Sequence, residues 1–324
     1  METITEKINR WPDLKDEFIF LKQQIEYLAE KRFAEYQPAI AEYPDFLNRL
    51  VRWLNNVKSD FEQQILFKLI LKIFFVGSKE FNSLYRAAFN GPIARWIVED
   101  LGEDLTTIVK RPVLSEEVRH TWFCPITDSM QISAFYHVNH ISGHDHRPYW
   151  RDLFEFGNED KIKRYVKKNN IKRLVLLEDF VGSGSQAKET VEFAAEVLPA
   201  PFKIIFVPLI ICPEGLNCVQ NIASSYSNLS IEPVLLLDEG LFIREIPSAN
   251  EDEFTDSLRQ LIVNNHDLVT GGTAGGNLKV YSPYGYNRTG GLIVMYTNCP
   301  DNTLPMIHYH SDSWYPIFPR SSRV

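Results

Sequence analysis

Residues Arg173 to Gln186 read RLVLLEDFVGSGSQ, and the fold turns on this stretch. Leu174 to Leu177 form an unbroken apolar run, followed by Glu178-Asp179, Phe180-Val181 and Gly182-Ser183-Gly184-Ser185. Beyond Gln186 the pattern turns helical through Ala187 to Leu198. An apolar run bounded by turn signals predicts a strand buried on both faces of a parallel sheet. The Gly/Ser turn opens a helix, whose first N–H groups are unpaired and whose start is electropositive. Such a start takes anions, phosphate most often. Two acids at the carboxyl end of a strand lie where open α/β sheets bind ligands. A tight turn that binds nothing accounts for the glycines equally well. It accounts less well for the adjacent acids, because burying charge without a partner is costly.

Around this stretch, strand-like and helical segments alternate from about Arg111-Pro112 onward, the signature of a parallel α/β sheet. Trp122 to Ile126 reads as a short strand. Thr127-Asp128-Ser129 reads as a polar turn with N-cap chemistry, leading into a helix over Gln131 to Ile141. This second strand–turn–helix offers another anion site, or simply a well-capped helix. Asn158 to Asn169 is a helix with acids first and bases last, which complements its dipole. The seven Lys or Arg residues from Lys161 to Arg173 read as a solvated face. Strands are expected over Phe202 to Ile211, Ile231 to Leu237 and Leu292 to Tyr296, with helices through Ile222 and over Glu251 to Val263. The tail, TNCPDNTLPMIHYHSDSWYPIFPR, is too rich in Pro and Asn for a regular helix. Its aromatics predict a segment pinned against the sheet near the strand ends.

Residues 1–112 read as a helical region, and 113–324 as the α/β domain. Helices are expected over Phe18 to Phe33, over Phe46 to Asn55 with Asp45 as cap, and from Phe61 through the apolar run Ile65 to Phe75. Gly77 ends this run, and Ser78 caps a further helix over Lys79 to Phe89. Lys79, Arg86 and Arg95 are weighed as an exposed helix face rather than an anion site. His137, His140, His144 and His146 cluster before and within the loop SGHDHRPYWR. No recognisable ligand spacing completes a zinc site there, so no metal site is assigned, and a mobile loop over a site is the better reading.

A chain of 324 residues suits one large domain or two ordinary ones. Its net charge of −8 argues against broad nucleic-acid binding, which needs a basic face. Cys124, Cys212, Cys218 and Cys299 show no CxxC pair and fit free thiols in a reducing cytoplasm. The N-terminus lacks a signal pattern, and the longest apolar stretches, Ile65 to Val76 and Ile204 to Cys212, are too short to span a membrane. A cytoplasmic protein with no membrane or nucleic-acid partner is expected.

LVLLEDFVGSGSQ resembles the phosphoribosyl diphosphate signature of type I phosphoribosyltransferases: an apolar strand, two acids, two apolar residues and a small-residue loop opening a helix. The resemblance implies a phosphoribosyltransferase-like (Rossmann-like) α/β fold, a mostly parallel sheet flanked by helices, with an all-helical N-terminal third. It implies that Glu178 and Asp179 hold the ribose hydroxyls and that Phe180, Val181, Gly182, Ser183, Gly184, Ser185 and Gln186 form the 5-phosphate loop. Thr127, Asp128 and Ser129 then stand where that family binds diphosphate. Gln186 departs from the pattern, which usually has Thr or Ser there. The ending GGLIVMYTNCPDNTLPMIH and WYPIFPR is similar to a divergent subgroup encoded with bacterial antiphage systems, including retrons. That likeness implies a site flanked by tail aromatics near Asn302 and Thr303. It also implies Mg²⁺ arriving with the diphosphate substrate.

The expected function is transfer or cleavage at the anomeric carbon of a phosphoribosyl group, on phosphoribosyl diphosphate or a nucleotide, in antiphage defence. The alternative is a nucleotide sensor or scaffold that keeps the phosphate cradle without catalysis. A defence-system protein partner and a homo-oligomer both stay open at this stage.

Overall fold

The structure is a computed structural model describing residues 3–11, 15–40, 45–102, 111–141, 149–150, 152, 157–249, 251–272 and 281–321. Among these residues the strands are β1 (Phe74–Val76), β2 (Thr121–Pro125), β3 (Arg173–Val181), β4 (Lys203–Ile211), β5 (Leu229–Ile231), β6 (Leu235–Leu236), β7 (Tyr281–Ser282), β8 (Gly285–Tyr286) and β9 (Ile293–Met295). The helices before β2 are α1 (Ile4–Arg10), α2 (Lys15–Lys31), α3 (Gln37–Ile40), α4 (Phe46–Leu54), α5 (Asp60–Leu69), α6 (Ser78–Ala88), α7 (Ala94–Asp100) and α8 (Arg111–Arg119). After β2 come α9 (Ile132–Val138), α10 (Glu159–Lys168), α11 (Ser185–Val197), α12 (Pro213–Ala223), α13 (Glu253–Asn264), α14 (His266–Thr270) and α15 (Pro305–His308). None of these helices is long and apolar enough to cross a membrane.

The chain forms two compact units, 79–238 and 1–78 with 239–324. The expected division at 112/113 does not coincide with them. Both chain ends join one unit, and the helical stretch after residue 78 goes with the parallel sheet. The reason lies in Phe74-Phe75-Val76. This run reads as the end of a helix, but α5 stops at Leu69, a 3-10 turn follows, and β1 pairs in parallel with β9, Phe75 beside Val294. Apolar periodicity does not separate a short buried strand from a buried helix, and the strand's partner lies far along the chain.

In the unit 79–238, β2, β3, β4 and β5 lie side by side in that order and all parallel, with β6 also on β4. The expected single strand Ile231 to Leu237 is two short ones. Pro233 sits between them and has no N–H to donate, yet Glu232 and Val234 still donate to β4 carbonyls on either side. One sheet face, with Trp122, Leu174, Leu176, Ile204 and Phe206, packs with residues of α10, α11 and α12. On the other face Phe123 packs with Phe89 and Phe135, ring centroids 6.3 and 5.7 Å away. Both faces of β3 are thus covered, and Leu174 to Leu177 are fully buried. A π-helical turn over Phe89–Ile93 takes in Gly91-Pro92 and runs into α7. Such a turn re-satisfies backbone groups that a proline would otherwise orphan.

The other unit explains the tail. Trp314, Ile317 and Phe318 are fully buried, but among the described residues they cluster with the N-terminal helices rather than with the parallel sheet. Phe318 meets Phe33 edge-on at 5.2 Å. Irregular backbone can be buried only if its polar groups find donors. Here the donors are side chains from the other end of the sequence. Trp53 donates to the Met306 carbonyl at 2.7 Å, Arg49 to Ile317 at 3.0 Å and Tyr36 to Pro319 at 2.7 Å. The segment also contains one short helix, α15, which its proline begins rather than breaks.

Candidate functional site

β3 carries Glu178 and Asp179 in its last four residues, and both are 4% exposed. The strand register, Pro125 beside Leu177, delivers the turn after β2 to the level of these acids. Thr127 Oγ1 is hydrogen-bonded to Glu178 Oε1 at 2.6 Å, and Ser129 Oγ to Asp179 Oδ1 at 2.9 Å. The two hydroxyl oxygens are themselves 2.7 Å apart. Asp179 Oδ1 also accepts from the Phe180 N–H at 2.9 Å. Glu178 Oε2 is buried with no hydrogen-bond partner among the described residues. Burial, and after it the charge of Asp179, holds the Glu178 carboxyl well above the usual carboxylate range, against the hydrogen bonds from Thr127. Asp128, between the two hydroxyl residues, is exposed.

Immediately beyond the acids the chain turns through Gly182 and Ser183 into α11. Gly184 is the N-cap, at φ +83°, and a side chain there would be strained. A Cβ on it would also lie 2.8 Å from the Cys218 Cβ on α12. The approach is reciprocal: a Cβ on Gly215 of α12 would lie 2.5 Å from the Gly182 carbonyl oxygen. Gly184 and Gly215 therefore let α12 close on the turn and fix its backbone. No side chain caps α11, and its first turn holds no acid. The helix start is open to an exogenous anion in the way phosphate-binding helices are. Ser183 and Ser185, whose hydroxyls are 3.1 Å apart, frame it, and Gln186 is exposed beside them.

This arrangement has the parts of a sugar-phosphate cradle: two carboxylates at a strand end, then a glycine turn at a helix start. The PRTase-CE family profile matches residues 50–320. The chain belongs to the PRTase-CE family. That is a phosphoribosyltransferase-type family. Neither a curated protein nor a solved structure matches the chain. The PRTase-CE match runs through both compact units, so it takes in the tail as well as the sheet.

Within this PRTase-CE chain the structure brings together Thr127, Ser129, Glu178 and Asp179, and places Phe180 to Gln186 directly after them. Asn302 and Thr303 belong to the other unit. There the Asn302 amide donates to Thr289 Oγ1 at 2.9 Å and to the Tyr286 carbonyl at 3.3 Å, and Thr303 Oγ1 donates to the Ile293 carbonyl at 2.5 Å, so both side chains fix backbone. Of the histidines, His137 and His140 are exposed, while His144 and His146 lie outside the described residues. No cluster of three or more His, Cys, Asp or Glu that could hold a metal occurs among the described residues.

The sequence reading missed the direct bonds from Thr127 and Ser129 to the acids. The usable signal was the position of the turn after a strand that precedes β3. Consecutive parallel strands commonly neighbour each other, and their carboxyl ends then share one edge.

Proposed function

We propose that the carboxyl end of β3 binds a phosphoribosyl group, with Glu178 and Asp179 accepting from the ribose hydroxyls and the Gly182 to Ser185 turn holding the 5-phosphate. The observation carrying this reading is the pair of buried carboxylates beside an uncapped helix start, one carboxylate oxygen lacking a partner. Vicinal hydroxyls are donors suited to paired carboxylates, and a phosphate suits the helix start. Chemistry at the anomeric carbon passes through an oxocarbenium-like state. It needs positioning and charge stabilisation more than covalent catalysis. Glu178 and Asp179 would fix the ring, and the turn would fix the phosphate, leaving the anomeric carbon open to attack or cleavage.

Mg²⁺ would come with the diphosphate. Mg²⁺ keeps water and substrate phosphate oxygens as ligands more readily than an all-protein cage. When bound, it would neutralise the diphosphate charge. The proposed setting is bacterial antiphage defence, by depletion or modification of a nucleotide. Its support is the likeness of EDFVGSGSQ and the Pro-Asn-Thr-Leu-Pro tail to the defence-associated subgroup.

The second reading, a nucleotide sensor, is favoured by one observation. The Thr127 and Ser129 hydroxyls, which stand where diphosphate would be held, are engaged with the acids. Mass spectrometry after incubation with Mg²⁺ and phosphoribosyl diphosphate, or with nucleotides, separates the two. The enzyme reading predicts released diphosphate or base, lost in Asp179→Asn. A ligand bound but recovered unchanged supports the sensor, and neither binding nor turnover overturns both.

A further inference from the structure

Four oxygens form a continuous chain between the two acids: Glu178 Oε1, Thr127 Oγ1, Ser129 Oγ and Asp179 Oδ1, at successive separations of 2.6, 2.7 and 2.9 Å. Each separation is a hydrogen bond, and each hydrogen bond needs one proton between its oxygens. Two hydroxyls supply two protons. Three bonds need three. If both carboxyls were ionised, one pair of oxygens would face each other at hydrogen-bond distance with lone pairs only, which is repulsive. The third proton therefore sits on a carboxyl. Both carboxyls also take a backbone N–H, Asp179 Oδ1 from Phe180 and Glu178 from Thr127, but of the two only Glu178 has an oxygen buried without a partner among the described residues, where negative charge is costliest, so Asp179 is the acceptor end. The donor end is Glu178.

We propose that Thr127 and Ser129 are positioning residues that wire Glu178 and Asp179 into a single-proton dyad. In this dyad Glu178 is held as the neutral acid and Asp179 as the carboxylate. The order is Glu178 O–H to Thr127 Oγ1, Thr127 O–H to Ser129 Oγ, and Ser129 O–H to Asp179 Oδ1. A concerted shift moves one proton along each bond and leaves Asp179 neutral and Glu178 ionised, with atoms and charge balanced and no co-reactant. The assignment accounts for Glu178 Oε2. On a neutral carboxyl it is a carbonyl oxygen, far cheaper to bury without a partner than half of a carboxylate. It is also the acceptor left for an incoming hydroxyl. The site then shows a ligand one negative charge, not two.

Other titratable groups do not replace this logic. On the flanking strands, β2 offers the buried Cys124 beside Leu176, and β4 offers Lys203 beside Arg173, both nearer the start of β3 than the acids are. Asp128 is exposed on the same turn, and Lys188 and Glu189 are exposed on α11. Burial and the neighbouring Asp179 charge push the Glu178 carboxyl in the direction the proton count requires.

The inference concerns the site proposed above but needs no ligand, so either can fail while the other stands. The test is infrared difference spectroscopy of the full chain at neutral pH. Wild type minus Glu178→Gln should show one protonated-carboxyl C=O band. Thr127→Val should shift that band, because the Glu178 O–H loses its acceptor, and Thr127→Ser should restore it. Stability measured against pH gives a second readout. With the folded carboxyl raised, the native state holds one proton more than the unfolded state above the ordinary glutamate range. Folding should weaken about tenfold per pH unit across that window, and Glu178→Gln should remove that slope. Absence of the band in wild type overturns the proposal, as does a band unmoved by Thr127→Val.

Discussion

At the first residue of β3, Arg173 is 2% exposed and its guanidinium pairs with Asp100 at 2.6 Å and with Glu117. Near the last, Glu178 is equally deep but makes no ion pair among the described residues, and one of its oxygens has no partner. The Arg173 end is compensated. Burial works against the Glu117 carboxylate, but hydrogen bonds from Arg173 and Lys172 outweigh it and hold that group below the usual range. At the Glu178 end the balance runs the other way, and the carboxyl is pushed up. One strand thus carries two kinds of buried ionisable group. The first closes a network and stabilises the fold. The second leaves an electrostatic deficit at the strand end, where α/β sheets bind ligands, and such deficits mark functional sites.

Breaking the compensated end should give the largest loss of stability. Arg173→Ala strands Asp100 and leaves Glu117 with Lys172 alone, and a buried partner removed in this way costs about 3–5 kcal/mol. The lower figure is expected here, because the Asp100 side chain is 23% exposed. Urea unfolding checks it: a midpoint unchanged from wild type would mean that the network contributes nothing. The deficit end should behave oppositely, with Glu178→Gln no less stable than wild type at neutral pH.

The turn after the acids gives a smaller effect that sharpens the contrast. Gly184→Ala forces a side chain into the left-handed region and against Cys218, at a combined cost of about 2–4 kcal/mol. Gly272→Ala is the control. Its φ is +71°, but no atom lies within 4 Å of the added Cβ, so only the conformational part, about 1 kcal/mol, remains. Thermal unfolding of the two variants side by side measures the difference. Equal losses would show that close packing of α12 on the phosphate turn is unimportant.

Much of this was legible in residue order. The run Leu174 to Leu177 predicted a doubly buried strand, and Gly184 fell at the helix start. Asp45 caps α4 as its chemistry suggests, and α10 carries acids in its first turn and bases in its last. What escaped was set by contacts distant in sequence. Nothing local in Phe74-Phe75-Val76 announces a parallel partner at Ile293–Met295. The tail aromatics correctly signalled burial, but which surface buries them depends on Arg49, Trp53 and Tyr36, near the other end of the chain. The expectation near Asn302 rested on the likeness of the tail, and what its amide holds, Thr289 and the carbonyl of Tyr286, is likewise set by contacts distant in sequence. Thr127 and Ser129 were placed at the correct strand end, but their bonds to the acids depend on the β2–β3 register, which no local pattern encodes.

The central claim, that the acids and turn at the carboxyl end of β3 hold a phosphoribosyl group, is tested most directly by isothermal titration of the full chain with phosphoribosyl diphosphate in Mg²⁺. Saturable heat is predicted for wild type, abolished in Asp179→Ala and retained in Asn302→Ala, provided circular dichroism shows both variants folded. No heat with wild type, or the same heat with Asp179→Ala, would contradict it.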